Sequence, residues 1–421
     1  MEKLVIVGGT PLRGKVRISG AKNAALAIMS AAIMAGDTVT IENIPDINDV
    51  RVMIKLIESL GAVADWQGID SVRIIPPESI ANMPSYHLAK QLRASNLLLG
   101  PMLAKFGRAE VPLPGGCNIG VRPMDLHFKG FASMGAEITL EKGCIRAYCK
   151  KLKGTRIYLD FPSVGATENI MMAACLAKGK TVIENVAKEP EVVDLANFLN
   201  CLGAKVRGAG TDIINIEGMP SLGGCLRYPV IPDRIEAGTF MVAAAATRGE
   251  VEMENIILRH LEPLRAKLKE AGAEIIEAED TVRVSARGPL NPIDIKTLPY
   301  PGFPTDMQSQ MMSLLSTVAG TSLITENIFE NRYQVVDELK RMGARIKVEG
   351  RLAVIEGAGQ LHGTQVKATD LRAGAALVVA GLMAKGTTEI VNTKYIYRGY
   401  HEIENKLKSL GARISRMDNG A

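Results

Sequence analysis

Residues 335–346 read VVDELKRMGARI, and residues 403–414 read IENKLKSLGARI. In both, apolar residues recur at three- and four-residue spacing up to a glycine, and an alternating stretch follows. That pattern is an amphipathic helix closed by a C′ glycine and then a strand. The Gly-Ala pair occurs six times, at Gly61-Ala62, Gly135-Ala136, Gly203-Ala204, Gly272-Ala273, Gly343-Ala344 and Gly411-Ala412. The steps between them are 74, 68, 69, 71 and 68 residues. Such a period means that one supersecondary unit is repeated, although each copy is too long for a simple solenoid repeat.

A second marker keeps the same beat. A glycine opens a β-branched stretch at Gly36 (GDTVTIEN), Gly107 (GRAEVPLP), Gly179 (GKTVIENV), Gly249 (GEVEMENI), Gly320 (GTSLITEN) and Gly386 (GTTEIVNT). Before each lies a small-residue segment such as AALAIMSAAIMA or GAALVVAGLMAK. These segments are apolar on every side, so they are expected as buried helices. Each unit reads strand, buried helix, strand, amphipathic helix, strand, strand. Six βαβαββ repeats predict an α/β protein of two domains, each an inside-out α/β barrel with buried helices and sheets outside. The sixth repeat lacks its last strand, because only ARISRMDNGA remains, whereas LVIV at residues 4–7 is a spare strand. The N-terminal segment is therefore expected to complete the sixth repeat. One domain is placed at residues 21–229 and the other at residues 1–20 with 230–421, with a ligand cleft expected between them.

Composition narrows the function. The 421 residues carry 50 basic and 45 acidic side chains, a net charge of +5, and 4% aromatics. With no run of five Lys or Arg, nucleic acid is not an expected partner. Apolar runs such as FMVAAAAT at residues 240–247 fall short of the ~18 residues that span a bilayer. The start, MEKLVIVGG, is too short in its apolar part for a signal peptide. No membrane partner and a cytoplasmic location are expected. Cys117, Cys144, Cys149, Cys175, Cys201 and Cys225 show no CxxC and no zinc spacing, and reduced thiols are expected. The histidines are scattered and form no HExxH, so no metal site is expected.

The repeat allows register to be read. Fourteen residues before the marker glycines stand Lys22, Arg93, Gly165, Ile235, Asp306 and Arg372, in the first turn of each predicted buried helix. A helix start carries positive potential and free N–H donors, so cations there weaken the helix. Lys22, Arg93 and Arg372 together point to an anionic ligand, or to a buried carboxylate partner such as Asp306. The nearby Ser163, Asp233 and Asp370 read equally as plain helix caps. Twelve residues past Gly320 and Gly386 stand Arg332 and Arg398.

The loop after Gly107 breaks the pattern. It reads VPLPGGCNIGVRP over residues 111–123, with Cys117 among prolines and glycines. A repeat that departs in this way is a candidate mobile lid. A loop thiol near Arg122 and Lys22 would have a lowered pKa, whereas the other five cysteines read as small core residues. The stretch Gly9 to Lys15 mimics a phosphate loop, but Val16 stands where Ser or Thr would bind magnesium, and KVRIS alternates as a strand.

Nine motifs spread over the whole length add a family likeness: GAKNAAL, QLRASNLLLGP, PLPGGCNIGVRPMDLH, PSVGATEN, PDRIEAGTF, PTDMQSQ, FENRY, DLRAGAALV and YRGYHEIE. By them the chain resembles the enolpyruvyl transferases, in the branch that acts on UDP-N-acetylglucosamine. The resemblance implies that the sugar 3′-hydroxyl attacks C2 of phosphoenolpyruvate, that C3 gains a proton, and that phosphate then leaves. It implies Cys117 as general acid and Asp306 as the carboxylate near the attacking hydroxyl, with Lys22 and Arg398 also catalytic. Lys22, Asn23, Arg122, Arg332, Arg372 and Arg398 would bind phosphoenolpyruvate. Arg93, Arg122, Pro123, Met124, Asp125, Leu126, Ser163, Gly165, Asp306 and Ile328 would bind the UDP-sugar, and Asp370 would lie nearby. No metal or organic cofactor is implied. Some members carry a lysine where Phe161 stands. A shikimate-type transferase on the same fold is the rival, and PLPGGCNIGVRP argues against it. A non-catalytic anion-binding repeat protein is the other rival, and charged helix starts confined to one register argue against it.

Overall fold

In the helix Lys22–Ala32 every residue from Ala24 to Ala32 is buried. Small side chains on all sides let such a helix be enclosed by neighbours, and its many alanines contribute close packing more than apolar area. The helices Val164–Ala174, Arg234–Ala246 and Leu371–Met383 are buried in the same way. The computed structural model describes residues 2–80, 84–113, 119–120 and 123–418. The chain divides into a middle unit, Gly20–Cys117 with Arg122–Ile231, and a terminal unit, Met1–Ser19, Asn118–Val121 and Pro232–Ala421.

Among the described residues, the middle unit has three sheets. Their strand orders are Cys225–Pro229, Val39–Glu42, Val72–Ile75, Val63–Trp66; then Arg108–Pro112, Cys144–Tyr148, Glu137–Glu141; then Lys205–Arg207, Ile213–Glu217, Lys180–Glu184, Arg156–Tyr158. The terminal unit also has three. They are Glu274–Glu277, Thr281–Ser285, Glu250–Glu254, Arg13–Arg17; then Ile295–Lys296, Thr321–Thr325, Leu352–Glu356, Arg345–Glu349; then Gln365–Lys367, Thr387–Val391, Glu2–Val7, Arg413–Asp418. The strand that contains LVIV thus lies in the last sheet, antiparallel to both neighbours, with Leu4 opposite Ile390 and Arg416. Each unit has one contiguous apolar core, and in the terminal unit the helices Arg234–Ala246, Gln308–Leu315 and Leu371–Met383 pack on one another.

The six marker glycines of the Gly-Ala pairs all have φ between +91° and +100°. There the Gly343 N–H donates to the Lys340 carbonyl and the Ala344 N–H to the Leu339 carbonyl, which closes the helix Val335–Arg341. Only a residue without Cβ takes this conformation cheaply, which is why the pair recurs.

The strand Arg13–Arg17 precedes the helix Lys22–Ala32 but pairs in parallel with Glu250–Glu254, while Cys225–Pro229 precedes the helix Arg234–Ala246 but pairs in parallel with Val39–Glu42, so two repeats exchange their first strands. The structure departs from the sequence expectations in two places. Arg93 and Asp306 stand on 3₁₀ turns, Arg93–Leu98 and Thr305–Met307, ahead of the helices Leu99–Phe106 and Gln308–Leu315, and not in the first α-helical turn. Finally, Cys201 and Cys225 are joined in a disulfide and are not reduced thiols. Cys201 ends the helix Pro190–Cys201 and Cys225 opens an adjoining strand, so tertiary packing brings their Cα atoms to 5.8 Å, inside the range a disulfide bridges.

Candidate active site

In the middle unit, Lys22 opens its helix, and its ammonium lies 2.8 Å from Asp49 Oδ2. Asp49 is buried, in the first turn of the helix Asn48–Ser59. The cation at that helix start thus has an internal carboxylate, which offsets its conflict with the helix dipole. Asn23 beside it is exposed. The helix that begins at Lys22 packs against the turn that begins at Arg93.

A second cluster surrounds His127. Asn169 Nδ2 donates to the Asn96 carbonyl (2.9 Å) and stands 3.0 Å from His127 Nδ1, while Asn169 Oδ1 accepts from the Gly100 N–H (2.8 Å). With an amide donor on Nδ1, the imidazole proton belongs on Nε2, which faces Gly165. Burial, with the charge of Arg93 added, holds the His127 pKa down at about 4, so the ring is neutral at pH 7. Asn96 Nδ2 also reaches Met124 Sδ at 3.5 Å, which ties the segment Pro123, Met124, Asp125 and Leu126 to the turn that carries Arg93. Asp125 and Pro123 are exposed and Met124 and Leu126 buried. Ser163 is the N-cap of Val164–Ala174, its Oγ accepting from the Ala166 N–H. Phe161 is exposed. Cys117 and Arg122 lie outside the described residues.

In the terminal unit three expected residues meet. Asp306 Oδ1 accepts from Arg332 Nη2 at 2.5 Å, and Asp306 Oδ2 accepts from Arg372 Nη2 at 2.7 Å. Both arginine side chains are buried, at 2% and 5% exposure, whereas Asp306 keeps 26%. Burial disfavours the Arg372 charge, but Asp306, Tyr400 and Asp233 outweigh it and raise its pKa above the usual value. Neither arginine Nε has a hydrogen-bond partner among the described residues. The carboxylate is thus oriented by two guanidiniums that retain further donors. Asp370 and Asp233 are N-caps, accepting from Arg372 and Ala373 N–H and from Ile235 and Glu236 N–H respectively. Beneath Arg372, the Tyr400 hydroxyl pairs with Thr239 Oγ1 (2.8 Å) and accepts from Gln310 Nε2 (3.4 Å). Arg398 ends the 3₁₀ turn Thr393–Arg398.

Of the two alternatives for the cations at the helix starts, an anionic ligand or a buried carboxylate partner such as Asp306, Arg372 has the second in Asp306 itself and Lys22 has it in Asp49. Asp233, Asp370 and Ser163 cap helices. Sequence reasoning missed Asp49 and His127. Asp49 had a signal, because it falls on the same helix face as the buried Val50, Met53 and Leu56.

A family model described as EPSP synthase (3-phosphoshikimate 1-carboxyvinyltransferase) matches residues 6–407. The chain belongs to the EPSP synthase family of enolpyruvyl transferases. This family member is 56% identical over 421 residues to a Carboxydothermus hydrogenoformans protein named UDP-N-acetylglucosamine 1-carboxyvinyltransferase 2, with 100% of each chain covered. A Caldanaerobacter subterraneus subsp. tengcongensis protein named UDP-N-acetylglucosamine 1-carboxyvinyltransferase 1 is 55% identical over 415 residues, 98% of this chain and 99% of the relative. Among solved structures, the enolpyruvyl transferase NikO from Streptomyces tendae matches with a TM-score of 0.90 at 26% identity, covering 99% of both chains. An EPSP synthase from Acinetobacter baumannii matches with a TM-score of 0.78 at 21% identity over 99% of this chain and 100% of that one, a likeness of fold alone. These structures share the α/β class. Among the described residues, no helix is long and apolar enough to cross a membrane.

Proposed function

We infer that the chain transfers the enolpyruvyl group of phosphoenolpyruvate to the 3′-hydroxyl of UDP-N-acetylglucosamine with release of phosphate, the first committed step of peptidoglycan synthesis. The observation that carries this reading is the end-to-end match, above 50% identity, to relatives named for that activity. The meeting of Asp306, Arg332 and Arg372 supports it, because PTDMQSQ, FENRY and DLRAGAALV each deliver one member.

In this reading the hydroxyl oxygen bonds to C2 of phosphoenolpyruvate while Cys117 protonates C3. Asp306 orients the hydroxyl and takes its proton. The tetrahedral adduct then loses a C3 proton and its phosphate, leaving the enol ether. Lys22, Asn23, Arg122, Arg332, Arg372 and Arg398 bind the carboxylate and phosphate of phosphoenolpyruvate, with Lys22 and Arg398 also assisting the departing phosphate. Forked guanidiniums suit such groups. Arg93, Arg122, Pro123, Met124, Asp125, Leu126, Ser163, Gly165, Asp306 and Ile328 bind the UDP-sugar. The same reading takes the architecture to be two inside-out α/β barrels of three βαβαββ repeats, domains at 21–229 and at 1–20 with 230–421, and the location to be cytoplasmic.

Phosphate release measured with both substrates tests it. Release is expected with phosphoenolpyruvate and UDP-N-acetylglucosamine together and not with either alone. Absence of release, or equal release when shikimate 3-phosphate replaces the sugar nucleotide, would overturn the reading.

A further inference from the structure

Among the described residues, four of the six repeats end the strand after their marker glycine in the same way; Arg108–Pro112, followed by Leu113, and Thr321–Thr325 depart from it. The strands Val39–Glu42, Lys180–Glu184, Glu250–Glu254 and Thr387–Val391 are each followed by an asparagine in the left-handed region: Asn43, Asn185, Asn255 and Asn392, at φ +56°, +55°, +60° and +61°. Asn43, Asn185 and Asn255 donate Nδ2 to the carbonyl just past the neighbouring parallel strand, that of Val230 (2.8 Å), Leu159 (2.8 Å) and Ile18 (2.7 Å). After Thr321–Thr325 the place belongs to Glu326, which is not among the residues of positive φ. The asparagine slides on by one, and Asn327 makes the corresponding bond to the Thr297 carbonyl at 3.0 Å.

Glu326 turns inward and is 1% exposed. Its Oε1 accepts from Thr297 Oγ1 (2.9 Å), the Ile328 N–H (2.8 Å) and the Phe329 N–H (3.1 Å), and its Oε2 accepts from Thr305 Oγ1 (2.9 Å). A buried carboxylate is costly unless its lone pairs are filled, and here four donors fill them. One side chain thus ties together the loop that carries Ile328 and the turn in which Thr305 precedes Asp306. We propose that Glu326, which touches no substrate, is a positioning residue that sets both the Ile328 backbone for the sugar nucleotide and Asp306 for its hydroxyl. The inference rests on the reading of the activity given above.

The test is steady-state kinetics of the full-length enzyme, with each substrate varied, on Thr305→Val, Glu326→Gln and Glu326→Ala, with thermal melting to count folded protein. Thr305→Val breaks only the Oε2 bond, so kcat should fall about tenfold with KM for UDP-N-acetylglucosamine unchanged. Glu326→Gln keeps an acceptor for the Ile328 and Phe329 N–H groups, so the sugar-nucleotide KM should remain near that of the wild type. Glu326→Ala should raise that KM and lower kcat, each about ten- to a hundredfold, with KM for phosphoenolpyruvate unchanged. Activity lost only in proportion to folded protein, with both KM values unchanged, would overturn the proposal, as would a wild-type kcat in Thr305→Val. If Glu326→Ala does not fold, the other two variants decide. An inactive wild-type enzyme would overturn the functional reading, and this inference with it; an active one with indifferent variants would overturn this inference alone.

Discussion

Asp306→Asn removes one charge from a triad whose other two members are buried. The amide keeps the shape, but its NH₂ points a donor at one guanidinium, and both Arg332 and Arg372 lose the counter-charge that Asp306 supplies. Removing one partner of a buried pair costs about 3–5 kcal/mol, because the stranded charge remains desolvated. For a unit of this size each kcal/mol shifts Tm by about 2–4 °C, so the terminal unit should melt roughly 10 °C lower. Turnover should fall by about 10²–10⁴-fold for loss of a positioned acid or base. The two effects can be separated. In the triple variant Asp306→Ala, Arg332→Met, Arg372→Met no charge is stranded, so stability should return to within about 2 kcal/mol of the wild type while activity stays lost. Differential scanning calorimetry and phosphate release on all three proteins measure this. A single variant that melts within about 2 °C of the wild type would refute the stranded-charge argument. A single variant with wild-type turnover would refute the role given to Asp306.

Three further outcomes are expected. Cys117→Ser should lose turnover by about 10²–10⁴-fold and escape alkylation by an epoxide phosphonate that mimics phosphoenolpyruvate, as peptide mass mapping would show, while UDP-sugar affinity stays unchanged. His127 has a folded pKa of about 4 against an ordinary value of 6.5, so below pH 6.5 the unfolded chain takes a proton that the folded one refuses; stability should decline by on the order of 3 kcal/mol as pH falls from 6.5 to 4, and His127→Gln should flatten that slope in urea melts. Glu168 is raised well above the usual carboxylate range by burial, with Glu191 and Glu189 adding to it, so its stability contribution is complete below about pH 4.5 and declines as pH rises; Glu168→Gln should therefore melt higher than the wild type at pH 8, with the gap closing at pH 4.

Much of the candidate site was legible because the chain repeats. A beat marked by glycines gave a common register, and that register singled out Lys22, Arg93, Asp306 and Arg372 as charges at the mouths of apolar helices. It offered Asp306 as a carboxylate partner but could not say which cation it faces, and it offered none of the other pairings. Lys22 faces Asp49 and Arg372 faces Asp306, pairings between residues 27 and 66 positions apart that periodicity cannot supply. Glu326 was visible only as one more Glu-Asn at a strand end. Its inward turn comes from a one-residue slide that propensity does not register, because both residues suit the end of a strand.

The sequence by itself determined the elements and their order. Apolar stretches without a polar face have to be buried, a Gly-Ala pair after an amphipathic run has to end a helix, and LVIV was a strand in need of partners. These are consequences of side-chain periodicity and of the left-handed conformation that glycine permits, and both act over a few residues. Tertiary structure alone decided which strands Arg13–Arg17 and Cys225–Pro229 pair with, that Cys201 meets Cys225, and that Arg332 joins Arg372 on Asp306. Each of these depends on which edge of a sheet or end of a helix arrives beside another. Strands of similar pattern satisfy the same local rules in either sheet, so only the packing of the whole unit selects between them.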